Sequence, residues 1–226
     1  MRKGETHTAP VNFNPVFANN TWEQIVEACQ KNKVPETWSV GDQKTMKING
    51  TDYTIDIIGK NHDTYSDGSG KAPLTFQMHD CYETTYVMNP YGSNNDGWSK
   101  CVIRTTHLPS ILALMPSEVQ VGIKEVNKLT GTNGSDSTIV TTKDKLFLLS
   151  EIEVFNSTEF SYVGEGQQYD YYRAGNTPVK TYANGQDAYW WLRSPQPNTT
   201  NYAYVDYVLN YGSSTKSNAI SFAFCF

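Results

Sequence analysis

No apolar run in this sequence approaches the roughly 18 residues that a membrane-spanning helix needs. No two cysteines form a CxxC pair. Cys29, Cys81, Cys101 and Cys225 stand far apart, whereas zinc sites usually draw on closely spaced ligands. They read as reduced core thiols, with one bridge between the nearest pair, Cys81 and Cys101, as the alternative. Lys and Arg form no cluster and the formal net charge is −5, which argues against a phosphate-tracking nucleic-acid surface. Asp67-Gly68-Ser69-Gly70 has neither the Lys nor the helix of a phosphate loop. Met1–Thr8 carries positive charge without an apolar core behind it, unlike a secretory signal. Synthesis in the cytoplasm is the expectation, and the final location stays open. His7, His62, His79 and His107 lack metal-ligand spacing, so no metal or cofactor is expected. His79-Asp80-Cys81 would place neighbours on opposite faces of a strand, so it is not read as a nucleophile and base.

The carboxyl-terminal stretch is unusual in both what it omits and what it keeps. From Gln196 to Ser221 there is one Lys, one Gln, one Asp and no Glu, Met or Trp, while Tyr202, Tyr204, Tyr207 and Tyr211 crowd together. Buried strands favour Val, Ile and Leu, and solvent-facing strands usually carry Lys and Glu; this stretch does neither. Rigid Tyr for contact area, with Ser, Asn and Thr for adaptable hydrogen bonds, is paratope chemistry.

At 226 residues the chain can bury one sizeable core. Residues 1–20 are polar and contain Pro10, Pro15 and Asn19-Asn20; they read as an arm through which the protein could self-associate. Thr21 suits an N-cap, with Trp22, Ile25, Val26 and Cys29 at helical spacing up to Lys31. Strands are predicted over Lys44–Ile48 and Tyr53–Gly59, joined by Asn49-Gly50, a strong hairpin signal. A strand is expected at Leu74–Met78, helix at Ser99–Thr106 and Pro109–Leu114, and strands at Val119–Val126 and Lys145–Leu149. Thr130–Ser137 and Gly164–Asn184 read as loops. Ser150 with Glu153 makes a capping box. A final sheet is expected from Ala188–Arg193, Tyr202–Leu209 and Ile220–Cys225. The fold class is α+β, with residues 21–226 as one domain.

Lys145-Leu146-Phe147-Leu148-Leu149-Ser150-Glu151, the hexapeptide Trp190–Pro195, the ending Ala223-Phe224-Cys225 and the Trp98…Ile103-Arg104 segment together resemble a group of bacterial and phage domains with a C-type-lectin-like fold. That group includes the variable proteins of diversity-generating retroelements. The resemblance covers roughly residues 40–226. It is specific at the hexapeptide and looser elsewhere: the ending lacks the Gly and Pro common in the group, which puts a local turn in question. In such proteins the region after the hexapeptide is rewritten by adenine-directed mutagenesis. Randomised adenines of an AAC codon cannot yield Lys, Glu, Gln, Met or Trp; between Gln196 and Ser221 only Gln196 and Lys216 fall outside the permitted set.

The resemblance implies a non-enzymatic binding protein whose variable region is about 196–221. Its partner would be a protein or cell-surface ligand, with display on a virion tail or cell surface. On a regular strand Tyr202, Tyr204 and Asp206 share one face and Ala203, Val205 and Tyr207 the other; Ala203 and Val205 belong inside, so the first set should face outward. With Tyr207, Asn210 and Tyr211 they form the candidate contact set. Asn198, Thr199, Asn201, Ser213, Thr215 and Asn218 supply the surrounding loop contacts. Trp190 and Trp191 should point to opposite faces, one into the core and one beneath the binding face. Arg193 should pair with a carboxylate or carbonyl of its own sheet, and Trp98, Leu192, Val205, Phe222 and Phe224 should fill the core. Gln196-Pro197-Asn198 looks like the sugar-specifying tripeptide of calcium-dependent lectins, but only Asp206 lies near it, where calcium needs six to eight oxygen ligands. Calcium-dependent sugar binding and an enzyme on the same scaffold are the alternatives.

Overall fold

Local signals set the first elements of the computed structural model, which describes residues 12–132 and 138–226. Thr21 accepts the Gln24 N–H while the Gln24 side chain accepts the Thr21 N–H, a reciprocal cap that starts α1 (Trp22–Gln30). β1 (Gln43–Ile48) and β2 (Thr51–Lys60) form the expected antiparallel hairpin. Asn49 and Gly50 both take positive φ, 49° and 86°, which matches the twist of the flanking strands. β3 (Leu74–Met78) is buried along its whole length, and β4 (Tyr86–Val87) follows.

The middle of the chain departs from the sequence expectation in two places. A 3-10 turn at Gly97–Lys100 and a π-helical turn at Ile103–His107 replace the regular helix expected over Ser99–Thr106. They lead directly into α2 (Leu108–Leu112). The stretch read as a strand from Val119 is instead α3 (Ser117–Gly122). There Val119 is buried and Val121 exposed. α3 lies against α1 so closely that a Cβ on Gly122 would come within 2.3 Å of a Val26 methyl.

β5 (Val126–Gly131) and β6 (Ile139–Asp144) pair as a ribbon. Thr130 and Gly131 therefore end a strand, and residues 133–137 of the expected loop lie outside the described residues. β7 (Leu146–Phe147) is shorter than expected. Ser150 caps α4 (Glu151–Phe155) with Glu153 at the reciprocal position. The long loop expected from Gly164 contains α5 (Asp170–Arg173) and β8 (Lys180–Thr181), the latter paired with β9 (Asp187–Ala188).

β10 (Trp190–Pro195), β11 (Asn201–Val205) and β12 (Leu209–Ser213) form a three-stranded antiparallel sheet. β13 (Ser217–Asn218) pairs with β4. β14 (Ala223–Cys225) was expected in one sheet with β10 and β11 but inserts between β3 and β7, giving a five-stranded antiparallel sheet in the order β1-β2-β3-β14-β7. There Phe222 and Phe224 are fully buried, Phe224 stacked on Phe76 at 5.2 Å and Phe222 tilted against Tyr82 at 6.4 Å between centroids. The result is α+β, with mostly antiparallel sheets and short helices.

Residues 13–20, read as part of a polar arm, pack against this core. Phe13 and Phe17 are buried, and the Trp38 indole donates to the Asn14 carbonyl at 2.9 Å. Residues 1–11 of that arm lie outside the described residues. Cys29, Cys81, Cys101 and Cys225 are all buried free thiols. Among the described residues no helix is long and apolar enough to cross a membrane.

Candidate binding face at the β11–β12 hairpin

The hexapeptide strand β10 is buried at every position and anchors the three-stranded sheet. Its two tryptophans point opposite ways: Trp190 donates to the Pro178 carbonyl at 3.0 Å and Trp191 to the Tyr86 carbonyl at 2.8 Å. Trp191 lies edge-on to Tyr204, 5.8 Å between centroids, beneath the hairpin as expected. Arg193 does not pair within its own sheet. Its guanidinium grips Glu153 of α4 with both terminal nitrogens and donates to the carbonyls of Leu129, Leu148 and Glu165. The acceptors that satisfy this buried guanidinium come from β5, α4 and the segments holding Leu148 and Glu165, which converge on it.

That convergence forms a buried ionic cluster. Lys128 bridges Asp63 and Glu153, each at 2.7 Å. Glu165 accepts the Gly131 N–H at 2.6 Å and the Ser194 hydroxyl. Burial pushes the Glu165 carboxyl up to about 7 despite Arg193 nearby. Burial pushes the same way at Asp63, but Lys128 and His62 outweigh it and hold that carboxyl at about 2.

Above this platform the predicted contact residues divide. Tyr202 is fully buried, its hydroxyl donating to the Gly97 carbonyl at 3.0 Å. Tyr204 is buried between Trp191 and Lys216, whose ammonium sits 3.9 Å from its ring centroid. Asn218 is also buried. These three correct the sequence reading: β11 is the central strand of its sheet and is covered on both faces, so the Ala203/Val205 side is not the only interior one, and Asn218 lies on β13, paired with Tyr86 of β4.

The others stay at the surface. Tyr207 is 60% exposed and Tyr211 46%, with Val208 between them at 62%. Asn198, Ser213 and Thr215 are exposed, and Thr199, Asn201, Asp206 and Asn210 are half-buried. Several of these shape the backbone. Asp206 accepts the Val208 N–H and the Asn210 amide, both at 3.0 Å, closing the hairpin tip. Slight burial works against its ionised form, but those hydrogen bonds hold its carboxyl below the usual range. Asn198 takes φ 58° in the turn after β10. Thr199 donates to the Gln196 carbonyl, and Gln196 Oε1 accepts the Asn201 amide at 2.9 Å. The Gln-Pro-Asn tripeptide therefore builds a turn.

Neighbouring segments add aromatics that sequence reasoning did not assign to the face. The Tyr207 hydroxyl donates to Asp187 at 2.7 Å, which pushes the phenol up to about 12. Its ring meets Tyr189, itself 40% exposed, nearly at right angles. Phe160 packs on Tyr211 at 4.9 Å and is placed by Glu151, which accepts the Phe160 N–H. Tyr91 is 87% exposed on a turn fastened to the tail. Asn89 donates its N–H to the Ser214 carbonyl, and the Asn94 amide donates to the carbonyls of Gln196 and Asn201. An aromatic in the turn-rich run from Asn89 was the available signal. What the arrangement offers is contact area on fixed rings.

His79 and Cys81 are not brought together for chemistry. His79 pairs with Asp56 at 2.8 Å, and Cys81 is buried with its N–H bonded to the Thr181 carbonyl.

A protein family described as "Domain of unknown function (DUF6273)" matches residues 75–224, which includes the hexapeptide strand and the hairpin. No curated protein and no solved structure matches the chain.

Proposed function

The chain belongs to the DUF6273 family, and from that premise we propose that it is a non-enzymatic ligand- or receptor-binding protein. In this reading the β11–β12 hairpin is the recognition element, carried on a C-type-lectin-like scaffold and diversified by a retroelement. The observation that carries it is the outward display of Tyr207, Val208 and Tyr211 on a hairpin whose base is locked by Tyr202 and Tyr204. Tyr presents large, stiff contact area at low entropy cost, and exposed positions away from caps and buried networks change stability by only about 0.5 kcal/mol when replaced. Such tolerance is what a rewritten surface requires. The contact set becomes Asn198, Tyr207, Val208, Asn210, Tyr211, Ser213 and Thr215, flanked by Tyr91, Tyr189 and Phe160. Tyr202, Tyr204 and Asn218 move to the support.

Two measurements test the reading. The DNA beside the coding sequence should hold a near-copy of the codons for residues 196–221, differing mainly at adenines and close to a reverse-transcriptase gene; a flank without one removes diversification and leaves general recognition. In the full chain, combined alanine replacements at Tyr207, Val208 and Tyr211 should leave the thermal midpoint almost unchanged, whereas Tyr202→Ala or Tyr204→Ala should cost about 3–5 kcal/mol. Equal losses from both sets would make the exposed rings structural and sink the proposal.

A further inference from the structure

The Lys216 ammonium is met by aromatic rings. It rests 3.9 Å from the centroid of the Tyr204 ring and 5.6 Å from that of Tyr189. The two rings are 6.3 Å apart and tilted by 38°, and Tyr207 stands nearly at right angles to Tyr189 at 6.2 Å. Among the described residues no carboxylate pairs with Lys216 and no acceptor takes its ammonium N–H groups. Gly212 keeps room for this arrangement. A Cβ there would come within 3.2 Å of both Lys216 Cδ and Tyr204 Cε1, and its φ is not positive, so glycine supplies space at this position, not backbone freedom.

A ring face attracts a cation, but a primary ammonium also carries three N–H donors that rings satisfy poorly compared with water. A quaternary ammonium has no N–H to satisfy, and its methyl groups gain apolar contact with the same rings. These rings therefore suit a methylated ammonium better than the lysine that lies on them. Lys216 is half-buried, and its turn is held by its backbone N–H on the Ser213 carbonyl at 2.8 Å, a bond that survives when the side chain swings out.

We propose that Tyr189 and Tyr204, with Tyr207 alongside, receive a trimethyllysine side chain of a protein partner, and that Lys216 is its built-in competitor. The proposal rests on the hairpin being a recognition face. A lysine-derived ligand follows from the occupant in place, whose stem and ammonium already fit the path beside Gly212. Asp187, which accepts the Tyr207 hydroxyl, opposes the phosphate of a phosphocholine headgroup.

Nα-acetyl-trimethyllysine methylamide, its neutral isostere with carbon replacing the charged nitrogen, and phosphocholine can be titrated into the full chain and into K216A by NMR. In K216A the trimethyllysine compound should bind with Kd below about 10 mM. Its N-methyl protons should move upfield and give NOEs to the Tyr189 and Tyr204 rings. The neutral isostere should bind about threefold or more weakly, and adding Y189A should remove binding. The parent chain should bind the trimethyllysine compound about fivefold or more weakly than K216A, with the Lys216 ε-methylene leaving its ring-shifted position as ligand enters. That last signal needs no variant, so it decides even if K216A fails to fold. Equal binding of the isostere, equal affinity in parent and K216A, an unmoved Lys216 ε-methylene at saturation, NOEs to other rings, or tighter binding of phosphocholine would each overturn the assignment. If it falls while the combined Tyr207, Val208 and Tyr211 replacements leave the thermal midpoint unchanged, the recognition face stands and only this ligand class is lost.

Discussion

Two residues of the same type, three positions apart in Tyr204 and Tyr207, have opposite fates because of where their Cα atoms lie. Tyr204 sits on a strand flanked on both sides, and Tyr207 sits at a hairpin tip with its hydroxyl held by Asp187. Alternation along a strand says which side chains share a face but not whether a face is covered. Tyr202 and Tyr204, expected to face outward, are therefore buried, whereas Tyr207, which alternation grouped with Ala203 and Val205, is exposed along with Tyr211. The residue with most at stake is Arg193. Removing one member of a buried ion pair leaves its partner's charge uncompensated and typically costs about 3–5 kcal/mol. Arg193→Ala, which would also orphan the carbonyls of Leu129, Leu148 and Glu165, should lower the urea midpoint by a corresponding amount. An unfolding free energy within 1 kcal/mol of the parent's, itself about the scale of a single hydrogen bond, would show that neighbours or water replace it.

Elements specified by adjacent residues were the most legible. Asn49-Gly50 and the caps at Thr21 and Ser150 act over three or four residues, so their sequence patterns carry nearly all the information. Ser150 does more than cap: its hydroxyl accepts the Glu153 N–H and donates to the Glu165 carbonyl. Ser150→Ala should cost about 1–2 kcal/mol, and hydrogen exchange should show the loss first at the α4 amides. Global unfolding without preferential opening there would point away from the cap. Longer-range choices were hidden. Val119 and Val121 alternate like a strand, yet Pro116 starts a helix and packing on α1 sets its face. The partners of β14 are β3 and β7, and no local pattern near Ala223 encodes residues so distant in sequence. In the candidate face, the tail's composition pointed to the hairpin, but Tyr91, Tyr189 and Phe160 join it only through tertiary contacts.

Across the whole molecule, the buried ionic cluster makes stability a function of pH. Glu165 is raised from its ordinary 4.5 to about 7, so the folded state holds a proton that the unfolded chain has already released between those values. Its contribution is fully present below about pH 4.5 and is lost as pH rises through 7, a change on the order of 3 kcal/mol. Asp63, held at about 2, works in the opposite sense and loses its contribution as acid approaches that value. Denaturant unfolding at pH 5 and pH 8 should show the falling branch, and Glu165→Gln should flatten it; an unchanged slope in that variant would assign the effect elsewhere. Gln196 and Lys216 are the two tail residues that randomised AAC codons could not encode. One ties off the bend that follows β10 and the other lies as a lid on the Tyr204 ring. Under the proposed function they would frame a rewritable page: a library that spares both and varies only the exposed hairpin side chains between them should yield many different surfaces from one unchanged backbone.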